Sequence, residues 1–342
     1  MRAHINSENN ASKKLLVALE GMGKSGDQGC LLTVHDAQTL RTVDYIVRTY
    51  SYRYRILGSC NGLLLVGQYA PLGYLNDQLR LWNPCIRKSL ILQPCPFRPY
   101  LPDNLSCYLF GFSPRSKDYK VVAFELDESQ GSENEKMYIA VYTLSNQQWI
   151  VRNKALNISN LNTNDMFGLF YFLFTTVYFR GAAYWLGNND KRTKAITHIC
   201  SFDFDEESFT FLELPFSWDD RTCWFLFLLG ESLAIFSISE VTSSIWVLEH
   251  DNKKEPWTLR FSGKSSCRGY LVFSLCEIKF QKVFYCGSDG GYFVCGNKAY
   301  YIASGQVEPF KRPMKSHLNL ETYSESLVLI KGDGAHDLRS FP

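Results

Sequence analysis

Along this chain apolar residues recur in short runs closed by Gly, Asn, Asp or Pro, and the spacing of an amphipathic helix is almost absent. The pattern predicts strands throughout, and the strands repeat as a unit. RILGSCNGLLLVGQY and LRLWNPCIRKSLILQP fill Arg55 to Pro94, and YLFGFSPRSKDYKVVAFEL and KMYIAVYTLSNQQWIVRN fill Tyr108 to Asn153. Further units run from Val177 to Pro215, from Phe225 to Phe261 and, less regularly, from Glu277 to Phe310. In each, a strand bearing a large apolar residue leads through a polar turn into a strand with an aromatic or aliphatic stripe. The turns of the first four are NPCIRK, SNQQ, DEES and EHDNKKEP. With Trp82, Tyr142, Phe202, Trp246 and Tyr301 as equivalent positions, the intervals are 60, 60, 44 and 55 residues. Four-stranded propeller blades of about 40–50 residues, lengthened by loop insertions, have such periods.

The expected fold is therefore all-β, a six-bladed β-propeller whose ring is closed by N- and C-terminal strands. Closure protects the sheet edges on which open arrays aggregate. The sixth blade is expected to be composite, with SESLVLIKG (Ser324 to Gly332) pairing beside KLLVALEG, CLLTVHDA and RTVDYIVR. A pair of β-sandwiches accounts for the strands but not for the repeat. The domain limits follow as a polar segment over 1–14, the propeller over 15–332 and a flexible tail over 333–342.

Composition narrows the function classes. The 342 residues, 46% hydrophobic, suffice for a continuous core, and aromatics at 15% favour pleated surfaces. Lys and Arg number 36 against 34 Asp and Glu, so the chain offers no electrostatic footprint for nucleic acid or an anionic membrane, and neither is an expected partner. The run from Phe167 to Phe179, 13 residues, is too short to span a bilayer and reads as two buried strands. No apolar leader opens the chain, so a cytoplasmic or nuclear setting is expected rather than secretion, with the 11 cysteines as thiols packed in strands. No C-x-x-C occurs and the 6 histidines are scattered, so no metal or other cofactor is expected.

Motifs that could carry chemistry fail on context. Gly21 to Gly26 spell G-x-G-x-x-G after a strand, but DQGCLLTV beyond reads as strand where a pyrophosphate needs a helix N-terminus. A Walker loop ending in Gly23-Lys24-Ser25 would need glycine where Ala18 stands. Gly58-Ser59-Cys60-Asn61-Gly62 has the form of a cysteine nucleophile elbow, yet Asn61-Gly62 before LLLV reads as a hairpin or bulge turn. Asp127/Glu128, Asp205/Glu206/Glu207 and Asp219/Asp220 are candidates for acid–base work in a propeller hydrolase, but DEES reads as solvated charge on a hairpin turn. No catalytic residue is assigned, and the chain is not expected to be an enzyme.

Six segments in order carry a family resemblance: GSCNGLLLV (Gly58 to Val66), LWNPCIRKSLILQP (Leu81 to Pro94), FGFSPRSKDYKVV (Phe110 to Val122), AVYTLSNQQWIV (Ala140 to Val151), RGAAYWL (Arg180 to Leu186) and SFDFDEESFTFLELP (Ser201 to Pro215). They resemble the associated region of plant F-box proteins, the kelch-like propeller that follows the F-box there, and the likeness continues more weakly to about Pro309. The resemblance implies a non-catalytic substrate receptor: the propeller holds a target protein while the F-box docks on the Skp-family adaptor of a cullin-RING ubiquitin ligase. No F-box pattern precedes the propeller here, and Arg2-Ala3-His4-Ile5 resembles the stretch that normally follows one. Adaptor and cullin are thus expected partners only with an F-box upstream, and a truncated gene model and an F-box-less relative both fit. A stand-alone or decoy protein-binding propeller stays open beside the receptor. For the target itself, PFRPYLPDN (Pro96 to Asn104) and FSWDDRTCW (Phe216 to Trp224) carry the Trp, Tyr and Arg that dominate interfaces. Arg98, Tyr100, Trp218 and Arg221 are the expected contacts, with packing between blades as the alternative for the two aromatics.

Overall fold

A computed structural model describes residues 15–22, 29–36, 42–49, 53–69, 75–97, 108–127, 136–156, 176–187, 198–214, 222–229, 232–239, 242–249, 257–264, 282–285, 292–295, 298–301, 307–309, 318–323, 328 and 335–337. Among the described residues there is no helix, and the strands form six antiparallel sheets. Sheet I sets β1 (Leu15–Met22), β2 (Gly29–Asp36) and β3 (Thr42–Thr49) behind β24 (Leu318–Tyr323). Sheet II runs β4 (Arg53–Cys60), β5 (Leu63–Tyr69), β6 (Leu75–Asn83) and β7 (Lys88–Ile91), and adds β25 (Ala335–Asp337) on the outer edge of β7. Sheet III comprises β8 (Tyr108–Ser113), β9 (Asp118–Asp127), β10 (Lys136–Thr143) and β11 (Gln148–Leu156). Sheet IV comprises β12 (Val177–Phe179), β13 (Ala182–Gly187), β14 (His198–Asp203) and β15 (Ser208–Glu213). Sheet V comprises β16 (Cys223–Leu229), β17 (Ser232–Ile238), β18 (Thr242–Leu248) and β19 (Trp257–Lys264). Sheet VI comprises β20 (Lys282–Tyr285), β21 (Tyr292–Cys295), β22 (Lys298–Tyr301) and β23 (Val307–Pro309).

The repeat read from the sequence is the sheet. Trp82, Tyr142, Phe202, Trp246 and Tyr301 each fall in the third strand, in β6, β10, β14, β18 and β22. That strand is flanked on both sides: Tyr142 lies between Val121 and Trp149, and Phe202 between Ala183 and Phe209. In β10 both faces are covered, Tyr142 in the core between sheets II and III and Val141 in that between III and IV, and Trp82, Tyr142 and Phe202 are buried while Trp246 is half-buried. Between sheets, β24 lies beside β4, β4 beside β8, β8 beside β13, β12 and β13 beside β16, and β20 beside β24.

The composite sheet corrects the sequence reading. β24, not SESLVLIKG, pairs with β1, with Leu15 opposite Tyr323 and Glu20 opposite Leu318. Leu318-Asn319-Leu320 alternates as a strand should, whereas the expected segment is the denser apolar run after it. Of that run only Val328 is among the described residues; it lies outside any strand, its side chain packs on the core between sheets II and III, and its carbonyl accepts a hydrogen bond from Asn83 Nδ2 at 3.0 Å. Inside the segment expected as a tail, Ala335 stands opposite Leu90 and Asp337 opposite Lys88. Of the apolar run ending at Phe179, Val177–Phe179 is β12 and 167–175 lie outside the described residues.

Candidate functional site

In an antiparallel meander the first–second and third–fourth connections lie at one end of the sheet. In sheets II to IV that end is made of tight turns. Asn61-Gly62 (φ 46° and 78°) joins β4 to β5 and Arg180-Gly181 (φ 47° and 85°) joins β12 to β13, both two-residue turns with positive φ at each position, the kind that follows strand twist. The other turns, Asn83 to Lys88, Ser113 to Asp118, Thr143 to Gln148 and Asp203 to Ser208, share one geometry. Their fifth residues, Arg87, Lys117, Gln147 and Glu207, have φ of 53°, 53°, 53° and 49°. A short polar side chain at the first position caps three of them. Asn83 Oδ1 accepts the Cys85 N–H at 3.0 Å, Ser113 Oγ accepts that of Ser116 at 3.3 Å, and Asp203 Oδ1 accepts those of Asp205 and Glu206 at 2.8 Å.

These turns lock sheet IV onto sheet III. Phe204, wholly buried, enters the space over Gly111, where an added Cβ would stand 2.1 Å from the ring; only glycine admits so close an approach. Above the ring, Lys120 Nζ donates to the Phe204 carbonyl at 2.7 Å and to Glu207 Oε1 at 2.9 Å. Arg152 grips the same carboxylate twice, at 2.6 and 2.8 Å. Burial raises the Glu207 pKa, but the hydrogen bonds and charges of Arg152 and Lys120 outweigh it and hold the carboxyl below its ordinary value. Asp205 accepts the Ser113 hydroxyl and the Arg115 N–H, and Arg115 pairs with the exposed Glu206 at 2.5 Å. DEES is thus a hairpin turn as expected, but two of its carboxylates bind the neighbouring sheet rather than solvent. The sequence carried a signal for this in DYKVV, where a lysine interrupts an otherwise apolar strand.

The candidate chemistry reads differently in place. Cys60 ends β4 at 2% exposure, with a turn and another strand after it, and burial pushes its thiol pKa up, so no thiolate is presented. After the glycine-rich Gly21–Gly26 motif comes β2, paired back on β1 with Met22 opposite Gly29, where a phosphate site needs a helix. Asp127/Glu128 and Asp219/Asp220 supply no described side chains, and among the described residues no three His, Cys, Asp or Glu gather to hold a metal. Arg98, Tyr100, Trp218 and Arg221 all lie outside the described residues. The strands flanking them, ending at Ile91 and Glu213 and starting at Tyr108 and Cys223, place those connections' ends opposite the tight turns.

A latch between sheets recurs. Trp149 Nε1 in β11 donates to the Gln93 carbonyl of sheet II at 2.9 Å, and Trp257 Nε1 in β19 donates to the Glu213 carbonyl of sheet IV at 3.3 Å. Each carbonyl lies 6 residues beyond the left-handed turn residue of its own sheet, Arg87 or Glu207. A model of the F-box associated beta propeller domain matches residues 18–330, the length over which these sheets repeat. The chain belongs to that family. Relatives of this F-box associated domain include the F-box protein At5g47300 of Arabidopsis thaliana, 26% identical over 213 residues, which cover 58% of this chain and 44% of the relative. The F-box/kelch-repeat protein At3g22730 of the same plant is 26% identical over 258 residues, 68% of this chain and 62% of its own. The chain spans about half the length of the curated relatives it matches. Among solved structures, a 6-phosphogluconolactonase of Bacteroides fragilis aligns over 92% of this chain and 99% of its own at 8% identity and a TM-score of 0.39, too loose a likeness to bear on activity.

Proposed function

We propose that this F-box associated domain is a non-catalytic target-binding propeller, the receptor region of a Skp–cullin–F-box type ubiquitin ligase. The family match over residues 18–330 carries the reading, and the F-box relatives in Arabidopsis support it. In this reading the six sheets are blades of one ring, closed where β24 joins β1 and where β20 lies beside β24. A rigid ring suits a receptor, because it holds recognition loops still while they engage the target. The partners are a target protein and, through an F-box, a Skp-family adaptor and its cullin, in the cytoplasm or nucleus. Arg98, Tyr100, Trp218 and Arg221 are proposed target contacts. The test is affinity purification from native tissue, scored for adaptor, cullin and co-purified target. The reading predicts that an F-box fused upstream of the chain brings adaptor and target down together; a target recovered equally well without any adaptor, in the fused form too, would favour the stand-alone propeller.

A further inference from the structure

The outer edge of sheet II is covered by the chain's own C-terminal region. Among the described residues this sheet alone has a fifth strand, β25, which lies antiparallel on β7. Its hold is slight. Three residues pair, against six where β24 joins β1, and two of the three, Ala335 and Asp337, are of types depleted in strands. The fit is also incomplete. Ser89 lies between Trp82 on β6 and His336 on β25, wholly inaccessible, and its hydroxyl has no hydrogen-bond partner. A buried hydroxyl left unpaired costs free energy, so β25 is not the strand that fits this edge best. Upstream the chain is held separately: Asn83 Nδ2, at the end of β6, donates to the Val328 carbonyl, and Val328 packs on the core between sheets II and III. β25 can therefore leave β7 while that anchor holds.

We propose that the outer edge of β7 receives an extended segment of the target protein as an added strand, in place of β25; the proposal rests on the receptor reading for the ligand being a protein. Strand addition needs a free row of backbone N–H and C=O groups, and β7 offers one as soon as β25 lifts. The register states what the segment carries. Residues opposite each other in an antiparallel pair share a face, so Ser or Thr opposite Ser89 supplies the partner that the buried hydroxyl lacks. Asp or Glu opposite Lys88 sets unlike charges across the pair, as Asp337 does in β25. β25 then acts as a strap, filling the edge and shielding it from unspecific pairing until a better-matched strand displaces it. Target affinity is lowered by the fraction of time the strap is seated.

The probe is a fluorescein-labelled peptide with the sequence of residues 331–342, set against the same peptide with His336→Thr, titrated with the whole chain and read by anisotropy. Ala335→Pro with Asp337→Pro in the whole chain, which removes two N–H groups from β25, is expected to raise affinity for either peptide by about tenfold or more, because the edge is then free. The His336→Thr peptide is expected to bind more tightly than the unaltered one and to lose that gain on the Ser89→Ala chain. No binding by the opened chain, equal affinity with and without the prolines, or a gain that survives Ser89→Ala overturns the proposal. Should the prolines disturb the fold, His336→Thr in the chain itself takes their place: it seats the strap more firmly and must lower peptide affinity. A dimer of the whole chain that the two prolines abolish assigns the edge to a second copy and overturns the target reading of it. Failure here with intact adaptor and target capture by the F-box fusion removes the edge and leaves the receptor; peptide binding with no target captured by the fusion leaves the edge and removes the receptor.

Discussion

The junction of sheets III and IV and that of sheets IV and V solve one packing problem with different chemistry. Both bury a continuous apolar face, Leu109, Val122, Val141, Trp185 and Phe202 in the first, Leu186, Ile199, Leu226, Leu233 and Ile235 in the second. The first then adds an ionic cap, Lys120, Glu207 and Arg152, over a ring seated against a glycine, whereas at the second the indole N–H of Trp257 donates to the Glu213 carbonyl. The apolar faces supply most of the attraction in both. What the cap contributes is one allowed position: a buried lysine that must find one carbonyl and one carboxylate tolerates no sliding of one sheet over the other.

The most severe way to break the contrast is at the ring. Phe204→Ala should cost about 3–5 kcal/mol, read as a lower midpoint in urea or heat. Gly111→Ala should cost several kcal/mol alone and much less in the Phe204→Ala background, because the clashing ring is then gone; equal costs in the two backgrounds would refute the contact. Next comes Glu207→Gln, which leaves Lys120 buried beside a neutral amide and should cost about 3 kcal/mol at neutral pH. The pH dependence has a definite sign. The folded Glu207 pKa lies below its ordinary value of 4.5, so its stabilisation is complete above that pH and is lost as pH falls through the folded pKa. The variant's stability should therefore fall less steeply in acid than that of the unaltered chain. Trp257→Phe, at the other junction, should cost about 1 kcal/mol for the lost hydrogen bond, equally at pH 7 and in mild acid. Smallest is Glu206→Ala: its bridge to Arg115 is exposed on both sides, so the midpoint should not move measurably.

The repeat was legible because it rests on local rules. Asn61-Gly62 fixes a two-residue hairpin, and the large residue before the polar turn marks, in β10 and β14, a strand flanked on both sides. What escaped is what depends on the neighbouring sheet. Nothing within DEES distinguishes Glu207, closed between two cations, from Glu206 in solvent; their difference arises from β9 and β11, many residues upstream. The joining strand differs from the expected one for a related reason. Hydrophobic density favours the run around Val328, whereas pairing with β1 demands alternation, which Leu318-Asn319-Leu320-Glu321 offers. The proposed target contacts sit in connections between sheets, where no periodic rule acts on sequence at all.

The pairing of β24 with β1 also sets a timetable for synthesis. A strand near residue 20 finds its inner neighbour only when residues 318–323 have been made, so almost the whole chain must leave the ribosome before sheet I is complete. Until then β1 offers an unpaired edge to any other chain at hand. Sheets II to V draw each of their principal strands from one contiguous stretch and can form as they emerge. Holding that nascent edge apart from other chains until β24 arrives is a task for chaperones, and its duration is set by where in the sequence β24 lies.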